Sequence, residues 1–125
     1  MKTSELIEFI STGEDWQIYR FSAPMDAEYP ICTINMATSE TNQDLTGTIR
    51  NEFITFVISC FSPDSLEAET LSDDIRTKLL TLNGTAGDYN IVQINITNRR
   101  TADYFDADLD QIIYNNQFDF ICNVK

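Results

Sequence analysis

The sequence predicts one α+β domain spanning residues 1–125, with a mainly antiparallel, mixed sheet of about five strands. Two patterns predict this class. Ile49–Phe61 is rich in β-branched and aromatic residues, and Pro63–Leu82 has helical apolar spacing with helix-favouring ends. A chain of 125 residues also suffices for one hydrophobic core. We expect one long helix and one short N-terminal helix to pack on one face of the sheet.

The N-terminal part of the chain is predicted to contain a short helix and two strands. Ser4–Ile10 has an amphipathic apolar stripe, and Trp16–Phe21 is a candidate strand. The loop Ser22–Pro30 ends in a Tyr-Pro pair, which favours an extended start to a second strand, Ile31–Ala37. The polar segment Thr38–Thr48 is predicted to be a long exposed loop that joins two antiparallel strands.

The strand Ile49–Phe61 becomes apolar on both faces toward its end. A strand of this kind lies at the centre of a sheet and is covered on both sides. Because the sequence offers few helices, we expect another subunit to supply the second cover. The two faces carry Phe53, Thr55, Val57 and Ser59 on one side, and Ile54, Phe56, Ile58 and Cys60 on the other.

The helix after this strand is predicted from its ends as well as from its apolar stripe. Ser62 is the expected N-cap and Pro63 the first helical residue, and Asn83-Gly84 supplies the stop. The residues that recur at three- and four-residue steps, and are expected to be buried, are Ala68, Leu71, Ile75, Leu79 and Leu82.

Two further strands close the domain, on either side of an acidic loop. Asn90–Thr97 and Ile112–Val124 alternate between apolar and polar side chains, and Arg99–Asp110 is the predicted loop between them. The face of the last strand that is expected to be apolar carries Ile112, Tyr114, Phe118, Phe120, Cys122 and Val124.

The composition excludes most catalytic chemistry. The chain has no histidine, which removes Ser-His and Cys-His nucleophilic pairs, and no glycine-rich phosphate loop, so we expect neither an enzyme nor a bound cofactor. Cys32, Cys60 and Cys122 lie in apolar runs and are expected to be buried, reduced thiols. The alternating acids of Asp106–Asp110 resemble the start of a calcium loop, but the required glycine and closing glutamate are absent. We therefore expect an acidic turn without a metal.

The formal net charge of -12 disfavours the binding of nucleic-acid phosphates. No apolar run reaches the length of a membrane span. Ser4, Glu5 and Glu8 interrupt the stretch that a secretion signal would need to keep apolar. We therefore expect a soluble protein that is intracellular when made and has no membrane contact.

Two predicted loops are the candidate contact regions. Tyr104 and Phe105 are large aromatic residues in a polar, acidic loop with little core nearby, which favours a contact with a neighbouring protein. Trp16, Tyr19 and Phe21 are instead expected to pack beneath the N-terminal helix, the alternative being an exposed contact patch. The candidate interaction residues are Thr41, Asn42, Gln43, Asp44 and Leu45 in one loop, and Arg99, Arg100, Tyr104, Phe105, Asp106 and Asp108 in the other.

The order of these elements resembles the tail terminator, or tail-completion, proteins of long-tailed bacteriophages. The matching parts include the short N-terminal helix, the polar hairpin and a tyrosine-bearing acidic loop. In sequence they are Ser4–Ile10, the strand start Glu28-Tyr29-Pro30-Ile31, the β-rich run that ends at Phe61, the acid-rich helix Ser65–Leu82 and the closing strand Phe118–Val124.

The resemblance implies a small virion subunit that assembles in the host cytoplasm as a hexameric ring of the tail or neck. Such a ring caps the tail tube, ends its polymerisation and docks a head-completion or connector protein, while DNA passes through without specific binding. Two alternatives are another neck or minor tail adaptor of the same particle, and an acidic DNA mimic that inhibits a nucleic-acid enzyme.

Overall fold

The computed structural model of the chain describes residues 2–24, 27–43, 49–82, 84–86 and 89–124. Within these residues the protein forms an α+β fold with two helices and an open sheet of six strands, to which a short seventh strand is attached. The elements are α1 (Thr3–Ser11), β1 (Gln17–Arg20), β2 (Ile31–Gln43), β3 (Ile49–Ser62), α2 (Ser65–Leu79), β4 (Gly84–Ala86), β5 (Tyr89–Thr101), β6 (Tyr104–Asp106) and β7 (Gln111–Val124).

The sheet has the strand order β1-β2-β3-β7-β5-β4, and β6 pairs with the beginning of β7. Strands β1 and β2 run parallel, whereas the other pairs of described strands are antiparallel. The predicted α+β class and the mainly antiparallel, mixed sheet are therefore confirmed. The expected number of about five strands is too low, because β4 and β6 have three residues each and show no periodic pattern.

The core lies on one face of the sheet, called the inner face, and both described helices cover it. Strand β3 lies between β2 and β7, and the two sets of β3 residues point to opposite faces as predicted. The rings of Phe56 and Phe120 stack with their centroids 6.4 Å apart. The inner-face pairs are Ile54–Cys122, Phe56–Phe120 and Ile58–Phe118, and the helix residues in the same cluster are Leu6, Ile10, Leu71, Ile75 and Leu79.

Helix α2 begins at Ser65, later than the sequence suggests. Its N-cap is Asp64, whose side chain accepts a hydrogen bond from the Leu66 N–H at 3.0 Å. Ser62, the expected N-cap, is the last residue of β3 and is fully buried. Its hydroxyl donates to Glu67 Oε1 at 2.7 Å, which ties the strand to the first turn of the helix.

The strands extend further into the predicted loops than the apolar pattern indicates. Strand β2 continues to Gln43, well inside the predicted loop Thr38–Thr48, and pairs there with Ile49, the predicted first residue of β3. Residues 44–48 lie outside the described part of the chain. Strand β5 likewise continues to Thr101, inside the predicted loop Arg99–Asp110. The backbone ladder needs no apolar side chains, so these polar ends of the strands carry no sequence signal.

Strand β7 changes its buried face along its length. Phe118 and Phe120 are fully buried on the inner face, as predicted. Nearer the start of the strand, Ile113 is buried on the opposite face. Ile112 alternates onto the same side as Phe118, as predicted, but it is 47% exposed, so the buried part of that face does not extend to it. None of the described helices is long and apolar enough to cross a membrane.

Replacing Phe120 by alanine is expected to lower the free energy of unfolding by about 3–5 kcal/mol, because its ring is fully buried against Phe56. Phe105→Ala is the matched control, since that ring is 60% exposed, and its effect should stay within about 0.5 kcal/mol. Urea unfolding followed by circular dichroism measures both variants. Equal losses of stability would contradict the positions of the two rings.

The three cysteines are buried and free, as predicted. Burial raises the pKa of the Cys122 thiol to about 11, and a hydrogen bond with Cys60, together with burial, raises the pKa of Cys32 well above its ordinary value. The folded chain at about pH 8 should therefore not react with a soluble aromatic disulfide reagent, whereas the chain in denaturant should react at all three thiols.

The same shifts predict the dependence of stability on pH. Burial disfavours the thiolate of Cys122 in the folded state. The contribution of Cys122 to the free energy of unfolding is therefore fully present below the ordinary thiol pKa and is lost as the pH rises toward about 11. Rapid reaction of any thiol of the folded chain with the disulfide reagent would contradict the burial of the cysteines, on which both predictions depend.

Candidate functional site

The hairpin formed by β6 and β7 carries exposed apolar residues on both of its faces. Successive side chains of a strand point to opposite sides, so Tyr104 and Phe105 face in different directions. Phe105 is 60% exposed, and its cross-strand neighbour Ile112 is 47% exposed. The pairs of this ladder are Tyr104–Ile113, Phe105–Ile112 and Asp106–Gln111.

Two carboxylates of this segment hold its backbone in place. Asp106 Oδ1 accepts hydrogen bonds from the N–H groups of Asp108 at 3.0 Å and Leu109 at 3.3 Å, which closes the turn between the strands. Asp103 accepts a hydrogen bond from the Asn115 N–H at 3.0 Å, where β5 gives way to β6. The acids of the predicted loop therefore shape a hairpin, and residues 107–110 form its turn.

An open groove of about 780 Å³ lies between this hairpin and the residues that precede β2. Its floor is formed by side chains of Ile31, Thr33 and Phe61, which point away from the helices. The Phe61 and Tyr104 rings meet edge to face, with centroids 6.4 Å apart and planes at 70°. We call this site the aromatic groove; its principal side chains are Phe21, Tyr29, Phe61, Tyr104 and Leu109.

The aromatic groove is acidic as well as apolar. Glu28, Asp106 and Asp108 line it, and none of its described lining residues is a lysine or arginine. Burial raises the pKa of the Tyr104 phenol above its ordinary value, and Tyr29 and Asp106 raise it further. The phenol is therefore neutral at physiological pH and can donate a hydrogen bond.

Phe21 is held in the groove by an unusual backbone conformation. Its φ angle of 68° lies in the left-handed region, which is strained for a bulky side chain. The ring is 61% exposed, and the Arg20 guanidinium carbon lies 4.8 Å from its centroid. The expectation that Phe21 packs beneath the N-terminal helix is thus wrong, whereas Trp16 does pack against the core.

The paired ends of β2 and β3 at Gln43 and Ile49 lie at the other end of the sheet from the aromatic groove. Thr41 pairs with Glu52 near the end of β2, whereas Ile31 pairs with Phe61 at the groove. Of the candidate residues in this region, Thr41, Asn42 and Gln43 belong to β2, and Asp44 and Leu45 lie outside the described residues.

Arg99 and Arg100 diverge to opposite faces of β5. Arg99 Nη2 contacts Asp73 Oδ1 of α2 at 2.7 Å, on the helix side. Arg100 Nη1 contacts Asp119 Oδ1 at 3.1 Å, on the side away from the helices. Neither arginine lines the groove. Of the predicted residues, the structure brings together Tyr104, Asp106 and Asp108 in the groove and places Phe105 on the other side of the hairpin.

The sheet face opposite the helices, called the outer face, is partly apolar but carries neither of the described helices. Phe53 and Val57 of β3 and Ile121 of β7 are half-buried there, and Phe53 and Ile121 line a hollow of about 230 Å³. Two buried hydrogen-bond acceptors lie beside these apolar side chains. They are the side-chain oxygens of Asn35 and Asn123, which have no hydrogen-bond partner among the described residues.

These surfaces offer ring faces, apolar side chains, carboxylates and a neutral phenol, which are groups that bind a partner. Among the described residues, no three or more metal-ligating side chains come together. No protein-family model matches the chain, and no curated protein matches its sequence.

Asp103→Ala is expected to lower the protection of the Asn115 amide against hydrogen exchange by about 5–30-fold, because the part-buried N–H then loses its acceptor. Asp108→Ala is the matched control, since it removes the same charge from the same segment without removing a described side-chain hydrogen bond. Unchanged exchange at Asn115 in the Asp103 variant would contradict this bond. Exchange followed by NMR measures each amide.

Proposed function

We propose that this chain is a structural subunit of a long-tailed bacteriophage. It caps the tail tube as an oligomeric ring, ends tube polymerisation and presents a docking surface to the head connector. The sequence resemblance supplies the identity of the particle, and the exposed surfaces of the fold support a role in assembly.

The observation that carries the proposal is the outer face of the central strand. Val57 lies in the middle of the sheet, between Asn35 of β2 and Asp119 of β7, yet both described helices lie on the inner face. A central strand with apolar residues on both sides normally has two covers. A neighbouring subunit of a ring would supply the second cover and donors for the unpaired asparagine oxygens.

The charge of the chain fits the same role. A ring around a DNA channel must not retain the phosphates, and a net charge of -12 repels them. The exposed Phe105–Ile112 pair adds an apolar contact at the edge of the subunit, where a tube or connector protein can dock.

Electron microscopy of tail tubes tests the proposal. The tube protein of the same particle is polymerised with and without the full chain, and tube lengths and end caps are counted. We expect shorter tubes with ring-shaped density at one end. Uncapped tubes of unchanged length would refute the terminator role, and binding of the connector without any effect on tubes would indicate a neck adaptor instead.

A pair of matched variants tests the role of the outer face. Val57→Lys is expected to remain folded, because Val57 is only half-buried and its cross-strand neighbour Asp119, which also contacts Arg100, is acidic. The variant is expected to lose ring formation and tube capping. Leu66→Lys makes the same change on α2, where the side chain is 69% exposed, and should cap tubes normally. Circular dichroism confirms folding of both variants. Normal capping by Val57→Lys would place the subunit contact elsewhere.

A further inference from the structure

We propose that the aromatic groove binds a short basic segment of a partner protein, with an arginine or lysine side chain seated between the ring faces and the carboxylates. The proposal rests on the proposed function only in taking the partner from the same particle. Binding of the segment itself requires no ring and no tube.

The groove has the shape and lining of a binding site. Its volume of about 780 Å³ lies in the range of pockets that enclose a ligand or several side chains. Phe61 in the floor belongs to β3, which is paired with a strand on each side. Phe21 is kept in the groove at the cost of a left-handed backbone, although its ring gains little burial there.

Charge complementarity selects a basic occupant. Glu28, Asp106 and Asp108 belong to two separate segments that face each other across the groove, and no described lining side chain neutralises them. Nucleic acid would be repelled by these carboxylates. A guanidinium or ammonium group would be attracted both by the carboxylates and by the faces of the aromatic rings.

The chain itself contains an example of the contact that we propose. The Arg20 guanidinium carbon lies 4.8 Å from the Phe21 ring centroid, within the range of a cation–π interaction. Tyr29, Phe61 and Tyr104 offer further ring surface along the groove, and Leu109 offers an apolar contact for the rest of the segment. A peptide in which basic and apolar residues alternate therefore matches the lining.

NMR titration of the isotope-labelled full chain tests the proposal. The probe is the capped pentapeptide Leu-Arg-Leu-Arg-Leu at low salt, and Leu-Glu-Leu-Glu-Leu is the matched control peptide. We expect the arginine peptide to shift the amides of Phe21, Phe61 and Tyr104, and the glutamate peptide to leave them unchanged. Shifts confined to other surfaces would overturn the proposal.

Two pairs of variants separate a specific site from general attraction to an acidic protein. Asp106→Asn with Asp108→Asn keeps an oxygen acceptor for the turn and should weaken peptide binding about tenfold. Asp110→Asn with Asp74→Asn removes two charges outside the groove and should change binding by less than about twofold. Asparagine suits position 110, where φ is 52°. Equal weakening in both pairs would refute the site.

The aromatic contribution is tested at Tyr104. Tyr104→Phe keeps the ring and should bind the arginine peptide nearly as well as the wild type, whereas Tyr104→Leu should bind about fivefold more weakly. Equal binding by both variants would contradict a cation–π contact. If the groove amides instead shift with protein concentration alone, the occupant is a second copy and the proposal fails. Tube capping without peptide binding refutes only this inference, and peptide binding without capping refutes only the proposed function.

Discussion

The antiparallel ladder between β3 and β7 is the pairing on which the rest of the structure depends. In the strand order it joins β1, β2 and β3 to the later strands β7, β5 and β4, which follow α2 in the chain. It also carries the largest buried rings, Phe56, Phe118 and Phe120. Helix α2 packs against both strands of the ladder, and α1 joins the same core through β1, β2 and α2. Because apolar burial is the main favourable term in folding, loss of this ladder would remove the core of the helices and of the sheet together. Helix α2 covers one face of the ladder, and neither described helix lies on the other face.

The parts of the fold that depend on side-chain periodicity were predictable from the sequence. The two faces of β3, the buried stripe of α2 and the burial of the cysteines all follow from alternation or helical spacing. The three-residue strands and the polar ends of β2 and β5 were not predictable, because backbone pairing leaves no pattern in the side chains. The cap of α2 depends on a local competition that the sequence does not decide, since Ser62 bonds to Glu67 and leaves the capping position to Asp64.

Only one part of the candidate site was predictable from the sequence, namely the acidic segment that carries Tyr104 and Phe105. Two adjacent aromatic residues in an acidic segment indicated that Tyr104 and Phe105 are exposed, but not that they lie on opposite sides of a hairpin. The contribution of Phe21 and Tyr29 depends on long-range contacts, because the segment before β2 meets the hairpin only in the folded sheet. One local feature of the sequence did point to this position, because Phe21 comes directly before Ser-Ala-Pro. Its apolar character had placed it in the first strand, but β1 ends at Arg20. The divergence of Arg99 and Arg100 has a simpler cause, since neighbouring residues of a strand point to opposite faces.

Native-state hydrogen exchange, resolved amide by amide, tests the central place of the β3–β7 ladder most directly. We expect the ladder amides around Phe56 and Phe120 to exchange only through global unfolding, with opening free energies equal to that of the whole chain. The amides of β6, which has three residues and exposed side chains, should open at much lower free energy. Local opening of the ladder at low free energy, with β2 or β5 remaining protected, would contradict its central place in the fold.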